Sequence, residues 1–457
     1  MNEIWLENFR CFRERQTARL APLTLLVGEN STGKTSFLAM IRALTSFAYG
    51  SLVPDFKESP YDLGSFDEIA HHRGAKGGRA DSFGAGFSSS AINGDQDPWG
   101  FDVVFRRVGT APLPASRKHS LGNAWVADTW HDNFTVLHAT AATRRGKWQA
   151  SLGRPFPTSD PGERWRFSHL LVRAALSTEH DRPTEVQFTP VGDSPPLNDG
   201  DREELRALMS PMALARVWMF PFASAPVRSK PRRTYDPARV AYDPEGDYAP
   251  MYLAELHSEN AEAWEELKSK LESFGVAAGL FDEISIRPLG KQSEPFQVQV
   301  RKYSGRAKGP WRNLVDVGYG VSQALPVLTE LFRPDADTRH RKVFLLQQPE
   351  VHLHPSAQAA LGSLLGEVAS RQRQLIVETH SDHLLDRVRM DIRDGASNLR
   401  PEDVSILFFE RDNLDVHIHP LQIDEQGNLL GAPESYRRFF MEEVNRSLWG
   451  RQPVGAA

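Results

Sequence analysis

Residues Gly28-Glu29-Asn30-Ser31-Thr32-Gly33-Lys34-Thr35 constrain this chain more than any other segment. They fit the pattern G-x-x-x-x-G-K-[ST] and stand between a short apolar run, 23–27, and a helical stretch over 37–44. That setting, strand before and helix after, is the one in which such a loop cradles phosphates. Gly28 and Gly33 permit the tight turn that aims successive backbone N–H groups inward. The helix N-terminus adds partial positive charge, Lys34 reaches toward β- and γ-phosphates, and Thr35 offers a hydroxyl to Mg²⁺. Asn30, Ser31, Thr32 and Ser36 belong to the same binding segment. The predicted ligand is a nucleoside triphosphate with its Mg²⁺.

Around this loop the chain reads as an α/β core interrupted by a long insertion. Residues 4–10 read as a first strand. From 81 to 195, clusters of Gly, Ser, Asp and Pro separate short aromatic or β-branched runs at 101–105, 134–137 and 165–172, which predicts a β-rich region. Helical periodicity returns between 198 and 275. It is clearest over 258–274, where Trp264, Leu267, Leu271 and Phe274 follow at spacings of 3, 4 and 3 and Gly275 takes the position just past the helix. Strand-like runs come next at 283–287 and 296–303. The last third alternates: strand 343–346, helix 356–369, strand 374–378, helix 382–390, strand 404–409. Largely apolar strands alternating with helices predict a parallel or mixed sheet. The expected division is 1–75 and 276–457 as the two parts of one head, 76–195 as a β-rich insertion and 196–275 as a helical arm.

Three further segments carry chemistry. Asp316-Val317-Gly318-Tyr319-Gly320-Val321-Ser322-Gln323 is a glycine-rich turn leading into an apolar helix over 324–331. Gly318 and Gly320 would bring backbone close to a ligand, and Ser322, with Gln323 beside it, would present polar groups at the helix start; a helix entry with packing glycines is the equal alternative on these residues alone. Ser322 lies 25 residues before Gln347, in Val343-Phe344-Leu345-Leu346-Gln347-Gln348-Pro349-Glu350, an apolar strand that ends in polar side chains. A further 33 residues on, a second apolar strand runs into Glu378-Thr379-His380-Ser381. A histidine there is well placed, because ligands bind outside the carboxyl ends of parallel strands.

In this order (strand and phosphate loop, glycine-rich signature, Walker B strand, switch histidine) the chain resembles the ABC-type ATPases of the SMC, RecF and OLD kind. Leu63-Gly64-Ser65-Phe66-Asp67-Glu68, 226–235 (PVRSKPRRTY), 316–325 (DVGYGVSQAL), 348–355 (QPEVHLHP) and 378–384 (ETHSDHL) look closer still to the prokaryotic OLD-like "AAA family" ATPases that end in a small domain of unknown function. The resemblance covers roughly 1–75 and 215–430. It implies an ABC-type P-loop head with a mixed or parallel core sheet, binding ATP and Mg²⁺ in a head-to-tail homodimer or higher homo-oligomer. The phosphate loop and His380 of one copy would then face Ser322 and Gly320 of the other across each γ-phosphate. It also implies a setting in anti-phage or anti-plasmid defence, acting through a separate nuclease or toxin effector. A RecF- or SMC-like ATPase acting on DNA, and a nucleotide-gated scaffold without useful hydrolysis, remain as alternatives. After Ser381 no D-x-D pair occurs, so no nuclease of the Toprim kind is expected in cis.

The chain departs from the family pattern at the end of the Walker B strand. Gln347 stands where an acid would support Mg²⁺, and Gln348 where a base or water-orienting group would sit. Glu350 is the nearest acid. A neutral amide holds water but lacks the charge that complements a metal, so hydrolysis is expected to be weak. Two explanations fit: slow turnover in the natural protein, or a substitution made to trap the ATP-bound state. His352 and His354 are read as fixing the turn after this strand rather than as metal ligands. Arg228, Lys230, Arg232, Arg233 and Arg239 form the densest basic stretch. DNA phosphates, a partner's acidic surface, the ATP region and plain solvent all remain open for it. Asn8, Arg10 and Arg13, close to the phosphate loop in sequence, are read as ordinary strand-edge polarity, with contact to the nucleotide as the alternative.

Composition narrows the rest. A single cysteine, Cys11, excludes a disulfide framework and a cysteine-based zinc site. The formal net charge of −5 argues against a dedicated nucleic-acid coat while leaving a local basic groove possible. No run of roughly 20 apolar residues occurs, and the first residues lack a signal-peptide core, which predicts a cytoplasmic protein with no membrane association.

Overall fold

Strands buried on both faces, rather than alternating ones, build the sheet that ends in the phosphate loop. In a computed structural model the described residues are 2–48, 54–74, 78–89, 98–131, 136–152, 160, 163, 171–176, 187–209, 221–236, 242–290, 295–333, 342–370 and 372–436. The chain forms two compact units, one of 1–20, 31–221 and 410–418 and one of 21–30, 222–409 and 419–457. Strands are numbered along the chain.

The first unit holds a nine-stranded antiparallel sheet. Its strands are β1 (Glu3–Glu7), β2 (Gln16–Arg19), β4 (Ser82–Ser89), β5 (Trp99–Val108), β6 (Ala111–Leu121), β7 (Ala124–His131), β8 (Val136–Thr143), β9 (Gly146–Leu152) and β10 (Thr189–Pro190). They run in the order β10-β9-β8-β7-β6-β5-β4-β1-β2. Period-2 alternation places Phe101, Val103 and Phe105 of β5 inside. Phe105 packs edge-on to Phe56 and stacks on Phe83, which also meets Phe9 and Phe66. A second cluster gathers Trp130 and Trp148 with Leu205 and Leu208 of helix Asp199–Leu208, which Asn198 caps. Helix Lys34–Ala48 belongs to this unit, and its Arg42 donates to Pro221 O at 2.6 Å and to Glu58 at 2.7 Å.

The second unit is built on a seven-stranded sheet. Its strands are β3 (Leu23–Gly28), β11 (Phe222–Ser224), β17 (Lys342–Gln347), β18 (Arg373–Glu378), β19 (Val404–Asp412), β20 (Asp415–Ile423) and β21 (Leu429–Leu430), in the order β11-β17-β18-β3-β19-β20-β21. From β11 to β19 every neighbour is parallel. Every residue of β3 is buried, as are all but the first of β17 and β18. The pairing registers Gln347↔Glu378, Glu378↔Leu26 and Phe409↔Gly28 bring the carboxyl ends of β17, β18 and β3 to one edge, beside Phe409 of β19. Helices Tyr319–Phe332, Pro355–Val368 and Asp382–Arg393 connect the later strands. A smaller antiparallel sheet is formed by β12 (Glu283–Pro288), β13 (Phe296–Arg301) and β16 (Arg312–Asn313), with a short ribbon of β14 (Tyr303–Ser304) and β15 (Ala307–Lys308) between β13 and β16 in the chain. No helix of the described residues is long and apolar enough to cross a membrane.

The fold is therefore mixed α/β with a largely parallel core sheet. Local details differ from the sequence reading for physical reasons. The first strand stops at Glu7, not residue 10, because Asn8 and Arg10 take φ of 51° and 47°. The helix expected over 258–274 is two helices, Ala249–Glu259 and Ala261–Ala277, parted at Asn260, whose side chain caps the second by accepting from Ala263 N at 3.1 Å. Of the runs expected as strands, 134–135 and 165–170 lie outside the described residues, and Val172 falls in a helical turn.

Gly275 is likewise not the residue past its helix. It lies inside, while Gly279, at φ +66°, takes the left-handed position beyond the end. A Cβ on Gly275 would stand 2.5 Å from Phe281 O. Helix propensity alone would make Gly275→Ala stabilising by about 1 kcal/mol. The close approach makes the opposite the expected outcome, a loss of about 1–3 kcal/mol. A denaturant midpoint that rises in Gly275→Ala would refute this packing.

Candidate functional site

Gly28 ends β3 at φ +141°, where a Cβ would lie 2.5 Å from Phe409 O on the neighbouring strand. Only glycine fits there without displacing backbone. The chain then passes from the second unit to the first between Asn30 and Ser31. In the first unit Gly33 stands at φ +86°, with Cys11 Sγ 2.4 Å and the Phe12 ring 3.0 Å from where a Cβ would be. Phe37 N donates to Gly33 O at 2.9 Å, so the helix winds directly out of the loop. Lys34 is buried, its Nζ 3.4 Å from Thr32 Oγ1, whereas Asn30, Ser31 and Thr35 are exposed and Ser36 is half-buried. No acid occupies the helix's first turn, leaving its positive end for an anion. Burial pushes the Cys11 thiol up to about 11, so this cysteine is a packing residue under the loop rather than a nucleophile.

Sequence reading misses what holds this loop from the far end of the chain. Residues 410–418 belong to the first unit. There Val416 N donates to Cys11 O at 2.9 Å, Asp415 meets His71 at 3.3 Å, and Arg411 donates to Ser31 O. Ser31 is a non-glycine residue at φ +61°, and Arg411 fixes its carbonyl. No local signal marks a partner 380 residues away. Arg10 and Arg13 are structural, on Leu63 O and Asp415 respectively.

In the second unit the strand ends gather a buried polar network. Gln347 is 3% exposed; its N–H donates to Ser224 Oγ at 3.3 Å, and its Nε2 is buried without a hydrogen-bond partner. Gln348 follows at φ +41°, its N–H donating to Glu378 O at 2.8 Å. Glu350 accepts at Oε1 from Thr379 Oγ1 at 2.7 Å and from His380 N at 2.8 Å. Burial holds its carboxyl above the usual carboxylate range, against those hydrogen bonds and the nearby Arg228. Glu350 thus fixes the backbone of His380, whose own side chain is exposed.

The glycine turn meets this network through the start of helix Tyr319–Phe332. A Cβ on Gly320 would come within 2.9 Å of His352 O, so glycine lets the turn approach the segment after β17. Ser322 is the helix's fourth residue, not its start; it is buried, and its hydroxyl donates to Tyr319 O at 3.0 Å. Gln323 is 3% exposed and turned inward. His354 meets Ser356 Oγ at 3.2 Å and His352 lies beside Tyr319, which fits their reading as turn residues. Among the described residues no group of three or more His, Cys, Asp or Glu is arranged to hold a metal.

Arg228 changes character most. Sequence groups it with a surface basic stretch, yet it is 3% exposed, with Nη2 shared between Gln347 O at 3.3 Å and Gln348 O at 3.2 Å. Burial lowers its pKa to about 10, still charged at neutral pH. Its neighbours in the stretch are paired: Arg232 with Asp247, and Arg233 with both oxygens of Asp316 at 3.0 and 2.6 Å. Arg239 lies outside the described residues.

The residues fit the implied ligands unequally. The glycine loop, Lys34 and a helix start with no acid in its first turn fit the phosphates of ATP. The hydroxyl of Thr35 fits a Mg²⁺ held jointly by phosphate oxygens, but Gln347 supplies no carboxylate to it.

The sequence matches two family models: "AAA ATPase domain" over residues 1–72, and "AAA domain, putative AbiEii toxin, Type IV TA system" over residues 227–386. A search of curated proteins finds no match. Solved structures with a similar chain trace include an SMC head bound to the C-terminal winged-helix domain of ScpA, with 9% identity, 93% of this chain and 98% of that one covered, and a TM-score of 0.41. The Thermotoga maritima SMC head domain gives 13%, 92%, 98% and 0.32. A Pyrococcus furiosus SMC head with an extended coiled coil, bound to the C-terminal domain of ScpA, gives 9%, 97%, 99% and 0.39. Similarity at this level assigns neither activity nor partner.

The role of Arg411 is open to measurement. Arg411→Ala should weaken ATP binding by about fivefold, and by less in a Ser31→Gly background, since glycine reaches φ +61° without the roughly 1–2 kcal/mol that other residues meet there. Equal losses in both backgrounds, read by titration calorimetry, would remove Arg411 from this role. The matched segments carry the phosphate loop and the polar strand end, and the chain is a P-loop ATPase in the broad sense.

Proposed function

We propose that this chain is an ABC-type head that binds ATP, closes head-to-tail on a second copy, and turns ATP over slowly while controlling a separate nuclease or toxin effector. The observation that carries the reading is the pairing of a complete phosphate loop with a strand end whose two polar residues, Gln347 and Gln348, are neutral. Lys34 and the helix N-terminus hold the β- and γ-phosphates, and Thr35 presents its hydroxyl toward Mg²⁺, which supplies charge neutralisation when bound. Gln348 orients water by hydrogen bonding but cannot take its proton. His380 stands at the adjacent strand end, its backbone set by Glu350. The dimer rests on the resemblance carried by residues 316–325 and 378–384. The toxin–antitoxin wording of the matched family model supports an effector setting.

Calorimetry should find one ATP per chain, and Lys34→Ala should abolish that binding. Steady-state hydrolysis should be slow, and Gln347→Glu should raise it if an acid belongs there. Rapid hydrolysis by the chain as it stands would overturn the reading. Light scattering should show the mass doubling from 51.3 kDa with ATP; an unchanged mass at saturating ATP would remove the dimer.

One observation favours the alternative, an ATPase acting on DNA directly. Residues 295–315 carry Arg301, Lys302, Arg306, Lys308 and Arg312 and no carboxylate, with Tyr303 and Trp311 exposed among them. Several of these cations are engaged, Arg301 and Lys308 on Glu283 and Lys302 on Gly279 O. If they meet phosphates, duplex DNA binding should fall steeply with salt, and Lys302→Glu with Arg312→Glu should remove it. Salt-insensitive or absent binding would leave the effector reading alone.

A further inference from the structure

Gln323 is a glutamine inside an apolar helix, and its carboxamide is spent on the backbone of Arg228 and, at 3.5 Å, of Ser229. Its Oε1 accepts from Arg228 N at 2.9 Å, and its Nε2 donates to Arg228 O at 3.1 Å. This two-way amide contact fixes the backbone of Arg228 to the helix that begins at the glycine turn. The guanidinium of Arg228 in turn ties Gln347 O and Gln348 O, and beyond them Glu350 holds Thr379 and the backbone of His380. All the side chains that make these links are 5% exposed or less. Arg228 Nε and Nη1, Gln347 Nε2 and Glu350 Oε2 are buried without hydrogen-bond partners. Such a half-satisfied network is sensitive to small displacements, because each buried polar atom gains or loses a partner as a unit.

We propose that Gln323 and Arg228 are positioning residues that couple the glycine turn to the strand end and the switch histidine, so that a ligand at one sets the geometry of the other. Arg228 is suited to this because Nη2 carries two N–H groups at the end of a long side chain, one for each carbonyl. Gln323 is suited because a carboxamide both donates to and accepts from the backbone of a single residue. Movement of the helix start carries Arg228 with it, and the carbonyls of Gln347 and Gln348 follow. The inference rests on the reading that this site binds ATP.

Hydrogen exchange on the full chain, with and without saturating ATP, tests it independently of turnover. ATP should slow exchange over 28–36, over 318–324 and over 378–384. In Gln323→Met, which keeps side-chain volume, ATP-dependent protection at 318–324 and 378–384 should no longer change together, with one of them reduced by about tenfold, within the usual range of coupling between sites. Arg228→Lys should do the same, and the double variant should be no worse than the more severe single one. Additive losses spread evenly over the second unit would mean a merely structural role and overturn the proposal. So would concerted protection of both segments in Gln323→Met, the variant that leaves the buried charge in place if Arg228→Lys fails to fold. Failure of ATP to protect 28–36 in the unaltered chain would instead reject the ATP reading itself.

Discussion

The Phe409 carbonyl stands where a Cβ on residue 28 would be, and much of the second unit follows from that contact. It exists because β3 is a middle strand, with β18 on one side and β19 on the other, both parallel to it. Parallel neighbours align carboxyl ends, so one strand end places a phosphate-loop glycine beside the others' polar termini. Strands buried on both faces carry few polar side chains along their length. Ser224, Gln347 and Glu378 instead close their strands, beside Gly28 at the end of β3.

Concentrating polar groups at one buried edge creates an electrostatic demand that Arg228 meets. A guanidinium out of water is unfavourable unless it is well bonded. This one has two carbonyls on one nitrogen and a nearby carboxylate, and its charge persists despite burial. With Gln at 347 and 348, the strand ends carry the positive charge of Arg228 against two buried acids, Glu350 and Glu378. An acid at Gln347 would compete with Glu350 for that charge. The neutral amides are consistent with the rest of the network in a way that their departure from the family pattern alone does not reveal.

Legibility in the sequence divides along contact range. The phosphate loop, the apolar strands β17 and β18, and the helices after them were readable because each depends on residues within a few positions. Gln347, Gln348, Glu350 and His380 were readable as strand-end residues for the same reason. The sheet partner of β1 was not: β4 lies about 80 residues on, and alternation says which face is buried, not which strand lies alongside. Nor was the role of Arg228, since PVRSKPRRTY reads as a surface run and only tertiary packing buries its first cation. Arg411 is the extreme case, its partner Ser31 being at the other end of the chain. Gly275 shows the converse, a local rule giving a plausible cap that the passage of Phe281 over the helix overrides.

The same division explains why turnover is harder to read than binding. Phosphate binding needs backbone N–H groups, a helix end and a lysine, all supplied by eight consecutive residues. Hydrolysis needs a water held and a proton removed by groups from separate elements, and here the residues at those places are amides and a buried acid already committed to Thr379 and His380. Oε1 of Glu350 sets the backbone at His380, and Oε2 is buried without a hydrogen-bond partner, so a water reaching it would have to enter the buried strand end. The proposed slow turnover is in keeping with that enclosure, because a proton acceptor closed off from water cannot draw a proton from it.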